Sequence, residues 1–328
     1  METTKDKAKP GVAPRAPATP PKFFHLVPNN LGIDYLRWRW WSLAISWAII
    51  VAGMVGFAVK GLNYGIDFTG GTLIQVQVNE AADIGVMRAV LDHANVGPFT
   101  LQSLGEGKQQ DFLIVLGGFI KAGAGSSTQN LAQKVEADMK AKYPSLTVRR
   151  VESVGPKVGQ ELRQHAVYAI LFSLAAILLY IWVRFEWRFS IGAVVATAHD
   201  VLLVLTALVI TQREVSLTVV AAVLTIAGFS VNDTVVVFDR IRENVRRHLK
   251  TAFDQNINDS INQTLSRTVL TAGTVLIVVV VMYIFGGEIL NDFAFAMLVG
   301  VLVGTYSSIF QAAPVVYMLH QWFPPKVK

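Results

Sequence analysis

Six long apolar runs restrict the fold of this chain more than any other feature of its sequence. One run lies near the N-terminus, and the other five follow one another in the second half of the chain. A helix of about 20 apolar residues crosses the hydrocarbon core of a bilayer. The runs cover residues 41–59, 166–183, 189–211, 215–238, 269–285 and 293–319. We therefore predict a polytopic α-helical membrane protein with six transmembrane helices.

The composition agrees with a membrane protein and removes several classes of function. Only 16% of the residues are charged, whereas soluble domains have about 25%. The chain has no cysteine, which excludes disulfides and thiolate metal sites. Its net charge of +6 comes from basic residues at the ends of apolar runs, which is where membrane topology requires them. We therefore expect contact with membrane lipid, no nucleic-acid partner, no cofactor and no metal.

Lysine and arginine are unequally distributed among the segments that connect the runs. Both tails and the connections near residues 184–188 and 240–250 are basic, whereas those near 212–214 and 286–292 are not. Basic connections stay on the cytoplasmic side. This distribution predicts that both termini are cytoplasmic and that residues 61–162 lie outside.

The outer segment, residues 61–162, alternates between two kinds of periodicity. Strands are predicted at 72–78, 99–104, 112–116 and 146–154, helices at 84–94 and 131–139, and a hairpin loop at 105–111. This order predicts a ferredoxin-like (βαββαβ) α+β domain. His93 is expected to be a surface residue, and no nucleophile–base pair stands out, so we expect a binding or mechanical module and not an enzyme.

The predicted domain organisation has five parts. A disordered tail and interfacial segment (1–40) precede helix 1 (41–60), the outer domain (61–162), helices 2–6 (163–320) and a short tail (321–328). Within helices 2–6, an amphipathic segment at about 245–266 repeats large apolar residues every fourth position from Phe253 to Leu265. It is expected to lie against the membrane or against the ends of the spans, as a passive connector or as a partner surface.

Three ionisable residues lie within the apolar runs or at their edges. Asp233 lies in the cytoplasmic half of the fourth run, Asp200 near the middle of the third, and Arg267 where the fifth begins. An ionised Asp at the centre of a spanning helix costs about 2.5–3.5 kcal/mol. Desolvation favours the neutral acid, whereas a nearby arginine favours the carboxylate. A carboxylate under two opposed influences can change protonation with a small movement, as a proton relay requires.

Each of the three residues also has a plainer interpretation. Arg267 could be a boundary arginine that extends to the interface, Asp200 could be a structural hydrogen-bond acceptor, and Asp233 could satisfy a locally broken helix. The small pair Gly300 and Gly304 is typical of close helix packing. The hydroxyls at 305, 307 and 308 could line a polar path or bond across helices. Because nucleotide-binding motifs are absent, any work must draw on a gradient.

Five segments together resemble the SecF proteins of the SecD/SecF family of protein-export membrane proteins, which is related to the resistance–nodulation–division transporters. The segments are 64–72 (YGIDFTGGT), 154–162 (VGPKVGQEL), 230–244 (SVNDTVVVFDRIREN), 260–274 (SINQTLSRTVLTAGT) and 304–308 (GTYSS). The resemblance covers about residues 30–320 and is specific in combination. The short outer domain is similar to that of SecF and not to the larger one of SecD.

The resemblance implies a bacterial inner-membrane subunit that assists late protein export with the proton-motive force. It implies the partners SecD, the SecY–SecE–SecG channel, SecA, YajC and the unfolded exported polypeptide. It implies a proton relay that consists of Asp233, Arg267 and, with less support, Asp200. The family motif positions carried over to this chain are Gly65, Asp67, Gly70, Gly71, Asn232, Asp239 and Arg240.

Two other functions stay open on the sequence. A half-sized proton-driven exporter of small molecules or lipids would share the membrane architecture. A membrane chaperone would need no gradient. The single small outer domain argues against the exporter, and the expected need for Asp233 separates the relay from the chaperone.

Overall fold

The computed structural model describes residues 32–80, 82–94, 96, 99–104, 110–117 and 128–324. Residues 1–31 of the predicted tail and interfacial segment, most of the predicted hairpin loop at 105–111 and the last four residues lie outside this range. Within it, six helices are long and apolar enough to cross a membrane, which confirms the prediction of a polytopic helical protein. They begin and end at Leu36–Lys60, Pro156–Arg184, Trp187–Thr211, Leu217–Arg247, Phe253–Phe285 and Leu290–Trp322.

A change of helix type divides each of two spans into smaller, contiguous elements. The first span comprises a 3-10 turn, Leu36–Trp38, followed by α1, Arg39–Lys60. The next four are α5 (Pro156–Arg184), α6 (Trp187–Thr211), α7 (Leu217–Arg247) and α8 (Phe253–Phe285). The last comprises α9 (Gly287–Ser307), a π-helical turn (Ser308–Ala312) and α10 (Ala313–Trp322). The helices extend beyond several of the apolar runs, most of all at the start of α5 and of α8.

The outer segment forms a four-stranded sheet with two helices. Its elements are β2 (Gly71–Val78), α3 (Ile84–His93), β3 (Phe99–Leu104), β4 (Gln110–Gly117), α4 (Thr128–Lys142) and β5 (Thr147–Val154). The strands lie in the order β3-β4-β2-β5, and every neighbouring pair is antiparallel. Ile74, Val76 and Val78 point to the same face of β2 and are fully buried, because alternate side chains of a strand share a face. They pack against Met87 of α3 and Met139 of α4.

A second, very small sheet lies outside the spans and joins the end of the first span to the connection between α6 and α7. Strand β1 (Asn63–Tyr64) follows α1 and pairs in parallel with β6 (Glu214–Val215), which lies between α6 and α7. The backbone N–H of Gly65 also donates to the carbonyl of Val215 at 2.9 Å. The sequence did not predict this pairing, because two-residue strands carry no detectable periodicity.

The centre of the membrane domain consists of α6, α7 and the last span, while α1, α5 and α8 lie around them. Close contact between α7 and α9 depends on Gly300, because a Cβ there would lie 2.3 Å from Ile226. Gly304 lies beside Ser230 of α7. A Cβ added at Gly304 would lie 3.4 Å from the Cβ of Ser230. The small pair therefore has the packing role that its spacing predicts.

Helix α8 is one continuous helix from Phe253 to Phe285, so the predicted amphipathic segment is not a separate element. Ile257 and Ile261 are buried and belong to the same apolar cluster as Phe238 of α7 and Val316 of α10. Of the two predicted placements, the segment therefore takes the one against the ends of the spans. The fall in hydropathy before residue 269 marks a change of environment and not the start of a helix.

Candidate functional site

The two predicted carboxylates lie on neighbouring central helices, Asp200 on α6 and Asp233 on α7. Asp200 is fully buried, and Asp233 is 8% exposed. Helix α7 is unbroken around Asp233, so the interpretation that Asp233 repairs a broken helix is wrong. Side chains must therefore supply the hydrogen bonds of each carboxylate, because a helix satisfies its own backbone groups and offers no backbone donor.

Asp200 accepts hydrogen bonds from three side chains. Ser307 of α9 donates to its Oδ2 at 2.6 Å, and Ser230 of α7 donates to the same oxygen in a shorter contact. The Nδ1 atom of His199 lies 2.9 Å from Oδ1. This arrangement agrees with the interpretation of Asp200 as a structural acceptor that bonds α6 to α7 and α9. Its assignment to the relay stays a prediction.

His199 is the least expected part of the site. Its ring is fully buried, and its Nε2 atom has no hydrogen-bond partner among the residues that the structure describes. The rings of Trp47 and Tyr306 lie beside it, with centroids at 6.2 and 6.4 Å. An imidazole bonded to a carboxylate through one nitrogen holds its other nitrogen in a fixed direction, which here points into the protein.

Asp233 accepts two hydrogen bonds, each from a hydroxyl of a different helix. Thr268 of α8 donates to Oδ1 at 2.8 Å, and Ser308, the first residue of the π-helical turn, donates to Oδ2 at 2.7 Å. A hydroxyl can donate to a carboxylate and can also accept from a protonated acid. The same partners can therefore serve Asp233 in both protonation states.

Arg267 precedes Thr268 on α8, but its side chain is exposed. Among the described ranges, no ion pair joins its guanidinium to a carboxylate. It does act on Asp233 electrostatically across a longer distance. The predicted pairing across α7 and α8 therefore takes the form of a nearby charge, and the direct contact is made by Thr268.

Two consecutive residues of the last span contact the two different carboxylates. Neighbouring residues of a helix point about 100° apart, so Ser307 reaches Asp200 while Ser308 reaches Asp233. Pro314 has no backbone N–H for the carbonyl of Phe310, which instead accepts from Ser42 of α1 at 3.2 Å. π-Helical turns are frequent at functional sites. Of the three hydroxyls predicted to line a polar path or bond across helices, Ser307 and Ser308 bond across helices, whereas Thr305 bonds the carbonyl of Val301 in its own helix.

The glycines of segment 64–72 hold the outer domain against the membrane domain. Gly70 has φ +71°, and a Cβ there would lie 2.9 Å from the Cα of Pro156 at the start of α5. Gly71 has φ +145°, and a Cβ there would lie 2.6 Å from the carbonyl of Leu116. Gly65 lies close to Glu214, whose Oε1 would be 2.4 Å from a Cβ at this position. Gly70 and Gly71 combine a left-handed φ with a close approach to backbone atoms, which only glycine accommodates. Gly65 has an ordinary φ of −68° and lies against the flexible end of the Glu214 side chain.

Asp67, in the short helix α2 (Ile66–Thr69), forms a bond to the helix that carries Asp233. Its Oδ2 accepts from the backbone N–H of Leu217, the first residue of α7, at 2.9 Å. The first N–H groups of a helix have no partner within the helix, and an anion is stabilised there by the helix dipole. Asp67 therefore fixes the outer end of α7 to the segment that leads into the outer domain.

Of the remaining family motif positions, Asp239 and Arg240 lie toward the other end of α7, and Asn232 lies beside Asp233 in its middle. Arg240 bonds Gln263 of α8 at 2.6 Å through its Nε atom, and Asp239 lies 3.8 Å from Arg184. Asn232 is exposed. The sequence analysis did not identify Asn244, whose amide donates to Ser260 at 2.8 Å. The bonds of Arg240 and Asn244 hold α7 and α8 together beyond the site, and Asp239 faces α5. Among the residues that the structure describes, no cluster could hold a metal ion.

Glu214 is half-buried between Asp67 and Asp292. Burial raises the pKa of its carboxyl, the two neighbouring carboxylates raise that pKa further, and a backbone hydrogen bond from Ile66 lowers it in part. A carboxyl with a raised folded-state pKa binds protons more tightly in the folded protein than in the unfolded chain. Its stabilising contribution is present below the ordinary pKa of glutamate and is lost as pH rises through the folded-state value.

We expect Glu214→Gln to remove this loss of stability. At neutral pH the variant should melt above the wild-type Tm, by about 2–4 °C for each kcal/mol of repulsion removed. At a pH below the ordinary pKa of glutamate, the variant and the wild type should have the same Tm. The measurement is a thermal melt of the detergent-purified protein at several pH values. Glu161→Gln, at an exposed glutamate of α5, is the control and should show no such pH-dependent gap. Equal shifts in both variants would contradict the assignment.

Comparisons with known proteins agree on one group of relatives. Residues 134–322 match the family described as protein export membrane protein SecD/SecF, C-terminal, and residues 55–82 match the SecD/SecF GG motif. A protein translocase subunit SecF from Desulfurispirillum indicum is 42% identical over 301 residues, which are 90% of this chain and 95% of the relative. Another, from Rhodobacter capsulatus, is 41% identical over 302 residues, covering 90% and 91%.

A solved structure shows the same fold within a longer chain. The crystal structure of SecDF, a translocon-associated membrane protein from Thermus thermophilus, matches with a TM-score of 0.79 and 34% identity. The match covers 88% of this chain and 39% of the SecDF chain. A structure of SecDF in a super-membrane-facing form matches with a TM-score of 0.67 and 32% identity, over 93% and 40%.

Proposed function

Because this chain belongs to the SecF subunits of the SecD/SecF family, multi-pass membrane proteins of the Sec export pathway, we propose that it uses the proton-motive force to assist late-stage translocation of exported proteins. The observation that carries the proposal is Asp233, a nearly buried carboxylate in mid-helix whose hydrogen bonds come from hydroxyls of two other helices. The relatives are named as translocase subunits, which supports a non-enzymatic role.

The proposed coupling step is the protonation of Asp233. Ionised, the carboxylate accepts from Thr268 and Ser308 and is attracted by the charge of Arg267. Neutral, it loses that attraction and donates one of the two hydrogen bonds itself. The hydrogen bonds and the electrostatic attraction that join α7 to α8 and to the last span therefore differ between the two protonation states. One elementary charge that crosses 100 mV releases about 2.3 kcal/mol, which a repeated cycle can convert into work on an exported chain.

We place the protein in the bacterial inner membrane with both termini in the cytoplasm. Two features support this orientation: the arginines at the end of α7 and around residues 184–188 lie at the same end of the spans, and the α+β domain lies at the opposite end. The strand order of that domain is the one found in ferredoxin-like folds, so we assign it to that class and to the periplasm.

We propose that SecD covers an exposed stripe of α7. Four small or polar residues, Ala221, Thr225, Gly228 and Asn232, recur there at helical spacing and are exposed, whereas α5 exposes large apolar residues such as Phe172 and Trp182. Lipid-facing surfaces are apolar, and small residues mark helix–helix contacts. The exposed Arg267 lies on the adjacent helix, so the covering surface must also accept a cation.

Gly228→Leu should therefore abolish most of the co-purification of SecD. A Cβ at Gly228 would meet no atom of this chain within 4 Å, so the added side chain projects only toward the partner. The measurement is the amount of SecD that accompanies tagged protein from detergent-solubilised membranes. Ala175→Leu, on the exposed face of α5, is the matched control. Undiminished SecD in the Gly228→Leu sample would sink the assignment of this face.

The proposed wider assembly contains the SecY–SecE–SecG channel, the SecA motor and YajC, with the unfolded exported polypeptide as substrate and the proton as coupling ion. The experiment that tests the proposed function compares late export with and without a proton gradient, in cells that carry either Asp233 or Asn at this position. Gradient-dependent acceleration should be present only with Asp233.

A further inference from the structure

An open apolar groove runs along the start of the first span. Its volume is about 690 Å³, and it lies between the first span and the last one. Its walls include Tyr35, Trp38, Trp41, Ile45, Tyr306 and Phe310. Trp38 and Trp41 are 60% and 69% exposed. In the proposed orientation, the groove opens to the cytoplasmic leaflet at the depth where tryptophans lie among headgroups and acyl chains.

The groove has a fixed wall, because its first residues are bonded to α8. The side-chain oxygen of Asn258 accepts from the backbone N–H groups of Tyr35 and Leu36 at 3.0 and 3.3 Å. Asn262 bonds both the N–H and the carbonyl of Ile33. The chain that enters the first span is therefore held in one position and does not fold into the groove.

The charge at the mouth of the groove is positive. Arg37 lies in the same 3-10 turn as Trp38, is exposed, and has no ion pair among the described residues. Arg39 follows, bonded to the carbonyl of Leu36 at 2.9 Å and stacked over Tyr317 at 5.3 Å. Asp34, three residues before Arg37, accepts from the Arg37 backbone N–H and from Asn258.

We propose that this groove binds one acyl chain of an anionic phospholipid of the cytoplasmic leaflet, with the phosphate beside Arg37. The apolar walls match an acyl chain, and the unpaired guanidinium matches a negative headgroup. One phospholipid molecule supplies both the acyl chain for the apolar walls and the negative headgroup for the guanidinium. The preceding residues 1–22 contain five basic and two acidic side chains, the basic ones being Lys5, Lys7, Lys9, Arg15 and Lys22, and Arg37 would repel such a tail. This inference does not depend on proton coupling.

The lipid would contact the last span, which supplies Ser308 to the candidate site. Phe310 forms one wall of the groove and belongs to the same π-helical turn as Ser308. The carbonyl of Phe310 accepts from Ser42, which also lines the groove. An occupied groove therefore supports this turn from the side opposite Asp233.

The test is native mass spectrometry of the full chain with SecD, released from nanodiscs of equal parts phosphatidylglycerol and phosphatidylcholine. We expect bound phosphatidylglycerol, reduced about fivefold by Arg37→Gln, the factor that one basic residue near an anionic surface contributes. Ile45→Trp, which fills the groove from an exposed position, should remove the lipid. Arg88→Gln, at an exposed arginine of the outer domain, is the control and should change nothing.

Three results would overturn the proposal. Equal binding of both lipids with no effect of Arg37→Gln would remove the headgroup contact. Undiminished binding in Ile45→Trp would place the lipid elsewhere. Binding that begins only after deletion of residues 2–30 would show that the N-terminal segment occupies the groove. A melting curve equal to the wild type shows that each variant is folded.

Discussion

Replacing Asp233 with Asn should abolish the acceleration of late export by the proton gradient. Asn has nearly the same size and can still accept from Thr268 or Ser308 through its oxygen, so the helices should stay packed. It cannot take up or release a proton, and it offers no charge to Arg267. The variant should therefore export at the rate that wild-type cells show after the gradient is collapsed.

The measurement is pulse-chase release of a secreted reporter, with and without a protonophore. Asp259→Asn, at an exposed aspartate of α8, is the matched control and should export as the wild type does. Unchanged co-purification with SecD establishes that the Asn variant is assembled. Normal gradient-dependent release by Asp233→Asn would contradict the relay and would favour a chaperone that needs no gradient.

Arg267→Gln should lose most of the gradient-dependent export, whereas Arg267→Lys should keep most of it. The guanidinium contacts no carboxylate among the described residues and acts on Asp233 across a distance. An interaction of this kind depends on the charge and not on the two-pronged geometry of arginine. Lysine preserves the charge, and glutamine removes it.

The same export assay separates the two variants, and Arg246→Gln, at an exposed arginine near the end of α7, serves as the control for loss of a positive charge. If the lysine variant were as defective as the glutamine variant, the guanidinium geometry itself would be required. The charge-only role would then be wrong, and the contact would have to come from a partner such as SecD.

The sequence predicted the membrane domain well because hydropathy reports the environment that a helix needs. Asp233 stood out for the same reason: a carboxylate is costly in an apolar run. Its partner Thr268 was not singled out, and Ser308 was named only as one of three hydroxyls with two open roles. A hydroxyl in a spanning helix can bond its own backbone as well as another helix and therefore carries little signal. Ser308 does both, because it also bonds the carbonyl of Thr305.

Hydropathy was less informative about continuity and about tertiary contacts. It placed the start of a helix at residue 269, although α8 is continuous from Phe253. A helix that passes from a polar to an apolar environment changes its composition there, while its backbone conformation stays the same. The β1–β6 pairing and the bond from Asp67 to α7 join residues about 150 positions apart. No local pattern encodes such contacts.

Helix α7 is a single element of 31 residues, about 46 Å long at 1.5 Å per residue. It is attached to Asp67 at one end and to Ser260, through Asn244, at the other, with Asp233 near its midpoint. Such a helix moves along its axis as a rigid body, because it contains no break that could absorb an axial displacement. A shift that begins at Asp233 must reach both faces of the membrane together and with equal amplitude. The distances from a spin label at Thr218 and from one at Arg247 to a common reference label should therefore change at the same time and by the same amount.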